Sequence, residues 1–211
     1  QSIGGIAMIM RQRSFLWVAA FSVTAIGPAV AVIGLLSGVF LRERFGLDAV
    51  QLGNSVLVLL IALNLGGVIY SPLDRWTGRR KLVIAGGVLT QVTMLGLLAI
   101  LPGLGFWPTV VLLTAFASVS QLHALVIAHA QSLFGPELAG RVITTNNIFM
   151  IGGIFLFQLA SGQAYDLFTN GFGVSGEDGY RLTFAALAIC QLIGLLFYAN
   201  APNPMRPKAG E

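Results

Sequence analysis

The chain has 211 residues, of which 56% are hydrophobic and only 9% charged. A soluble domain carries about 25% charged residues, and the mean hydropathy here is +0.84, so a soluble globular chain is excluded. The single cysteine, Cys190, excludes a disulfide framework and a cysteine metal site, while the net charge of +4 needs a cause.

The twenty charged residues fall in clusters, leaving charge-free runs at 14–41, 49–73, 82–136, 142–165 and 182–205. A bilayer core of about 30 Å takes about 20 apolar residues as helix. Four runs hold one span each, and the 55-residue run holds two, divided by the prolines and glycines of 101–108. The expectation is an all-α membrane protein with six transmembrane helices and no soluble domain.

Residues 1–15 read as an amphipathic lead-in suited to the membrane interface, with Arg11 and Arg13 behind an apolar stretch. Spans are expected at about 16–41, 49–71, 82–101, 109–132, 142–165 and 181–200, followed by a Pro-rich tail at 201–211. The first contains Pro28, which a membrane helix tolerates with a bend, and Gly34-x-x-x-Gly38, a spacing that permits close helix approach. The second and fifth end on Tyr70-x-x-x-Asp74 and Gly162-x-x-x-Asp166, on opposite sides of the membrane. That is the relation expected of two inverted three-helix repeats.

With both termini in the cytoplasm, nine basic residues lie on the cytoplasmic side and only Arg42, Arg44 and Arg181 on the other. This positive-inside asymmetry accounts for the basic surplus without a nucleic-acid partner. The localisation that follows is a plasma or bacterial inner membrane. The stretch before the first span is not expected to be a cleavable signal peptide, and from the opening Gln-Ser-Ile-Gly-Gly, without an initiator methionine, further upstream sequence is expected.

The most specific stretch is Asp74-Arg75-Trp76-Thr77-Gly78-Arg79-Arg80-Lys81. An acid, a turn glycine and a basic cluster between two spans can tie helix ends together through charge-assisted hydrogen bonds. This run resembles the Gly-x-x-x-Asp-Arg-x-Gly-Arg-Arg signature of the major facilitator superfamily of secondary transporters. It departs in two places: Tyr70 stands for the leading glycine, and Thr77 is inserted before Gly78. Such departures resemble the family's second, degenerate copy, between helices eight and nine. Pro136-Glu137-Leu138-Ala139-Gly140-Arg141 resembles the link between helices ten and eleven, and Gly179-Tyr180-Arg181 the start of helix twelve. The resemblance implies helices seven to twelve of a twelve-helix transporter. It also implies a cytoplasmic latch of Asp74, Arg75, Gly78, Arg79, Arg80, Glu137 and Arg141.

Polar groups within the membrane are costly unless paired or lining a cavity. At 100° per residue, Thr114, Ser118, Gln121 and His129 share one side of the fourth span, with His123 nearly opposite Gln121. Thr144, Asn147, Gln158, Ser161 and Tyr165 share a stripe on the fifth, with Asn146 about 100° away. The resemblance places the substrate path along the first, second, fourth and fifth spans. It therefore favours Thr24, Asn64, Gln121, Asn147 and Gln158 over Gln91 and Gln191. The competing reading is that each amide is interhelical glue. His129 is a candidate proton carrier or a hydrated cap, and His123 a packing residue. No Asp or Glu lies within any span, so this part of the protein offers no membrane carboxylate for proton coupling.

The expected function is half of a secondary or facilitative transporter that moves a small solute by alternating access. Its partners would be the bilayer and either an N-terminal six-helix half or a second copy. The alternative is a non-transporting, transporter-like subunit acting as a scaffold in a larger membrane complex. No nucleophile–base pair, metal cluster or cofactor motif supports an enzyme.

Overall fold

In the computed structural model residues 2–203 are described, so Arg206 and Lys208 of the expected tail lie outside the described residues. Among the described residues six helices are long and apolar enough to cross a bilayer: Arg13–Phe45, Ala49–Thr77, Arg80–Ile100, Phe106–Gln131, Pro136–Gly171 and Gly176–Ala199. They are called spans one to six. A short helix, Ser2–Arg11, precedes them and packs on spans one and five.

The helix ends follow local chemistry. Span one stops at Gly46, whose left-handed φ of 65° lets its N–H reach the Arg42 carbonyl. Asp48 then caps span two by accepting from the Val50 and Gln51 amides, while the Gln51 side chain accepts from the Asp48 amide. Ser175 caps span six and accepts from the Asp178 amide, with Glu177 and Asp178 in the favourable first turn.

Three elements differ from expectation. The link at 72–81 is almost entirely helix. Pro72 lies inside span two, which continues to Thr77 and stops only at left-handed Gly78. Span five likewise continues past 165 through a π-helical turn, Leu167–Gly171. Span four is not continuous: Phe106–Ser118 and His123–Gln131 are separate helices, with 119–122 unwound between them. Span one keeps Pro28 within a helix and relaxes into a π-helical turn at Val32–Leu36, four residues later.

Span one packs chiefly on spans five and six, span four on spans two and three, and span three on span six. Exchanging one with four, two with five and three with six maps these pairings onto each other, as two three-helix repeats require. The tightest crossings obey the same exchange. A Cβ on Gly153 of span five would lie 2.7 Å from the Val23 backbone of span one. One on Gly66 of span two would collide with the Ser118 carbonyl of span four. Gly34 and Gly38 sit in open packing instead, with no atom nearer than 3.8 Å to an added Cβ.

The buried side chains form two clusters, one toward each end of the helix bundle. Leu36, Phe40, Leu95, Leu113 and Phe184 belong to one, and Phe15, Phe21, Ile84, Leu122 and Tyr198 to the other. Span one is the central helix, with 67% of its most apolar stretch buried, against 19% in span two and 28% in span five. Spans two and five therefore present the widest uncovered apolar faces.

Candidate functional site

The unwound stretch of span four frees the Val119 carbonyl, and two side chains occupy it. The Tyr70 hydroxyl of span two donates to it at 2.9 Å, and Gln91 Nε2 of span three at 3.1 Å. Gln91 Oε1 in turn accepts from Gln191 Nε2 of span six at 2.5 Å. Both glutamines are fully buried. They form a polar bridge across the seam between the two clusters. A carbonyl left bare at that depth would cost several kcal/mol, so the bridge is what makes the break tolerable. The position of Tyr70, at which the sequence departs from the transporter signature, thus has a structural task. Gly87 makes the room: a Cβ there would lie 2.7 Å from the Tyr70 hydroxyl.

One turn beyond Tyr70, Asp74 is joined to Arg80 across the Gly78 turn. Arg80 Nε and Nη2 both donate to Asp74 Oδ2 at 2.9 Å. Lys81 turns the other way and donates to the carbonyls of Ala199 and Ala201, at 2.8 and 2.5 Å, capping span six. Adjacent basic residues therefore tie span two and span six to the same corner.

Of the expected latch, the structure joins Asp74 to Arg80 around Gly78, with Arg75 in the same cleft. Arg75, Arg79, Glu137 and Arg141 make no ion pair among the described residues. Glu137 folds back over Gly135, and Arg141 lies against Gly5 of the short first helix. Asp166, the candidate counterpart of Asp74, accepts from Asn170 rather than from a basic residue.

A cleft of about 390 Å³ opens between spans two and four beside the break, lined by Tyr70, Asp74, Arg75, Arg80, Gln121 and His123. Gln121 and His123 were expected on opposite faces. The break resets the helical phase between them, so both line one wall. Of the expected stripe, Thr114 and Ser118 lie on the helix before the break, Gln121 within it and His129 on the helix after it.

The other candidate path residues are scattered. Asn64 is exposed and donates to the Leu60 carbonyl of its own helix. Gln158 lies near Gly34 of span one, and Thr24 against Gly194 of span six. Asn147 is half-buried with its Oδ1 unpaired. Its neighbour Asn146 is fully buried and bonded to Ser22 of span one at 2.9 Å.

His129 is not a hydrated cap: it is fully buried and both ring nitrogens are engaged. Nε2 faces the Pro202 carbonyl at 2.9 Å and so must carry the proton. Nδ1 then accepts from the Tyr198 hydroxyl at 2.6 Å.

On the opposite side of the membrane lies a cluster the sequence reading did not single out. Glu43 accepts from Tyr180 at 2.8 Å and from Tyr165 at 3.4 Å. Arg44 pairs with Glu177 and donates to the Leu104 carbonyl, and Arg181 donates to the Ala99 carbonyl. Loop charges had been read only for their sign, so their role in closing this end of the bundle was not visible.

No family model and no curated protein matches the chain. Among solved structures, the xylose transporter XylE from E. coli, in an inward-open conformation, is similar with a TM-score of 0.63 and 18% sequence identity. The match covers 90% of this chain and 48% of that transporter, so the chain spans about half the length of the protein it resembles. Together with the six spans and their exchanged pairings, this gives the chain the fold of about half of that transporter, as the resemblance to the major facilitator superfamily implies.

Proposed function

We propose that the chain is the C-terminal half of a secondary or facilitative transporter that moves a small solute by alternating access, and that it is not an enzyme. The observation that carries this reading is the half-length match to a transporter fold, with the faces of spans two and five left uncovered. A second six-helix unit on those faces would enclose a path between the halves. Gln121, Asn147, Gln158 and Asn64 are this half's polar contributions, with Thr24 behind them on span one. Amides in mid-span, with Glu43, Asp74, Glu137 and Asp166 only toward the helix ends, suit a neutral, hydroxyl-rich solute, and the structural neighbour is named for a pentose. In this reading both termini are cytoplasmic. The Asp74–Arg80 corner then acts as the latch that holds the cytoplasmic helix ends in one arrangement. His129, bonded on both nitrogens, serves as an anchor for the end of span six in preference to a proton carrier.

The test is uptake of labelled pentoses and hexoses by cells and proteoliposomes containing the full-length protein. Asp74→Asn is expected to lower the uptake rate about tenfold or more while leaving membrane insertion unchanged, because it removes a charge-assisted pair. Unchanged uptake in Asp74→Asn would remove the latch. Absence of uptake for every solute tried would favour the scaffold subunit.

A further inference from the structure

We propose that the corner between spans two and three is a binding site for an anionic phospholipid. The headgroup would sit on Arg75 and Arg79, and an acyl chain in the groove between spans two, three and four. This inference rests on the membrane location alone and holds whether or not the chain moves a solute.

A cleft of about 900 Å³ is lined by the residues of 74–82 together with Asn203. Its charges are not equivalent. Arg80 is neutralised by Asp74, and Lys81 is committed to the carbonyls at the end of span six. Arg75 and Arg79 make no ion pair among the described residues, and both are exposed. Two uncompensated guanidinium groups four residues apart suit a phosphate, which they can grip through paired N–H donors.

An apolar groove of about 540 Å³ leaves this cleft and shares Thr77, Arg79 and Leu82 with it. It continues past Gly86, Gly87 and Thr90 to Ser118 and Val119 at the break in span four. Every hydroxyl along it is already bonded to backbone: Tyr70 to Val119, Thr77 to Leu73, Thr90 to Gly86 and Ser118 to Ala115. An apolar occupant would therefore leave none of them unpaired, and no added Cβ at Gly86 would meet an atom within 4 Å. At the rim, Trp76 is 82% exposed and Leu82 61%, as expected of side chains at the headgroup level.

A free phosphate would use the arginines and leave the groove empty. A zwitterionic lipid would fill the groove and bring a phosphate, but with it a cationic headgroup amine that the two arginines repel. An anionic phospholipid satisfies both.

The experiment is native mass spectrometry of the full-length protein in detergent carrying equal amounts of dioleoyl phosphatidylglycerol and dioleoyl phosphatidylcholine. Phosphatidylglycerol is expected to be retained in preference. Its retention should weaken about fivefold in Arg75→Gln or Arg79→Gln and about 25-fold in the double variant. Arg42→Gln, on the opposite side, should change nothing. Equal retention of the two lipids, or an unaltered double variant, overturns the proposal. So does glycerol phosphate competing as strongly as the intact lipid, which would mark a site for free phosphate. Should the double variant fail to fold, Trp76 fluorescence is read with Trp17 and Trp107 replaced by Phe. Brominated phosphatidylglycerol is expected to quench it more than brominated phosphatidylcholine, and equal quenching overturns the site.

Discussion

At the scale of single residues, the helix crossings are set by glycines whose neighbours are backbone rather than side chain. Gly153 faces the Val23 backbone and Gly66 the Ser118 carbonyl, and neither obstacle can rotate away. Gly153→Ala or Gly66→Ala is expected to cost about 1–3 kcal/mol through overpacking. Gly34→Ala and Gly38→Ala, with open space around them, should stay within about 0.5 kcal/mol. Thermal unfolding of the detergent-solubilised protein, followed by tryptophan fluorescence, distinguishes the two groups. Equal losses at all four positions would mean that crossing distance does not govern stability here. The sequence could show Gly34-x-x-x-Gly38 but not this ranking. A glycine spacing says where an approach is permitted, and only the partner helix decides where one is made.

At the scale of elements, the break in span four has no local cause in the chain. Val119-Ser120-Gln121-Leu122 contains neither proline nor glycine, so periodicity alone extends one helix across it. The cause is tertiary, because Tyr70 and Gln91 supply the hydrogen bonds that the unwound carbonyl needs. The extension of span two through 72–77 was hidden for a related reason. Pro72 reads as a terminator, yet a membrane helix can continue past one when its freed groups are accommodated. Charge clusters and apolar run lengths, by contrast, made all six spans legible, because the bilayer imposes length and apolarity on each segment separately.

The glutamine bridge gives this level its prediction. Gln91→Leu is expected to cost about 1–2 kcal/mol, since it takes one donor from the Val119 carbonyl and leaves Gln191 only its long bond to the Ala25 carbonyl at 3.5 Å. Gln191→Leu in the same background should cost less than it does in the wild type, because its partner is already gone. A double-mutant cycle on unfolding midpoints measures the coupling. Strict additivity would show that the two amides do not act as a unit.

At the scale of the whole molecule, burial across the six-helix unit is uneven, and the face of spans two and five is the open one. Span one is buried at the centre, whereas spans two and five turn Leu65 (60% exposed) and Ile151 (62% exposed) outward. Apolar side chains on a membrane protein can face lipid without penalty, so exposure alone does not distinguish a lipid surface from a partner surface. Solvent does. If spans two and five face a second six-helix unit, cysteines at Leu65 and Ile151 would be shielded from a lipid-soluble maleimide in native membranes. A cysteine at Leu196 of span six, 70% exposed, would react freely because it is turned away from spans one and three, on which that helix packs. With the native Cys190 replaced by Ala, the expected result is at least tenfold slower labelling at 65 and 151 than at 196, a difference equivalent to about 1.4 kcal/mol of protection. Equal rates at all three positions would show that the open face meets lipid. The solute path proposed between two halves would then have no second wall.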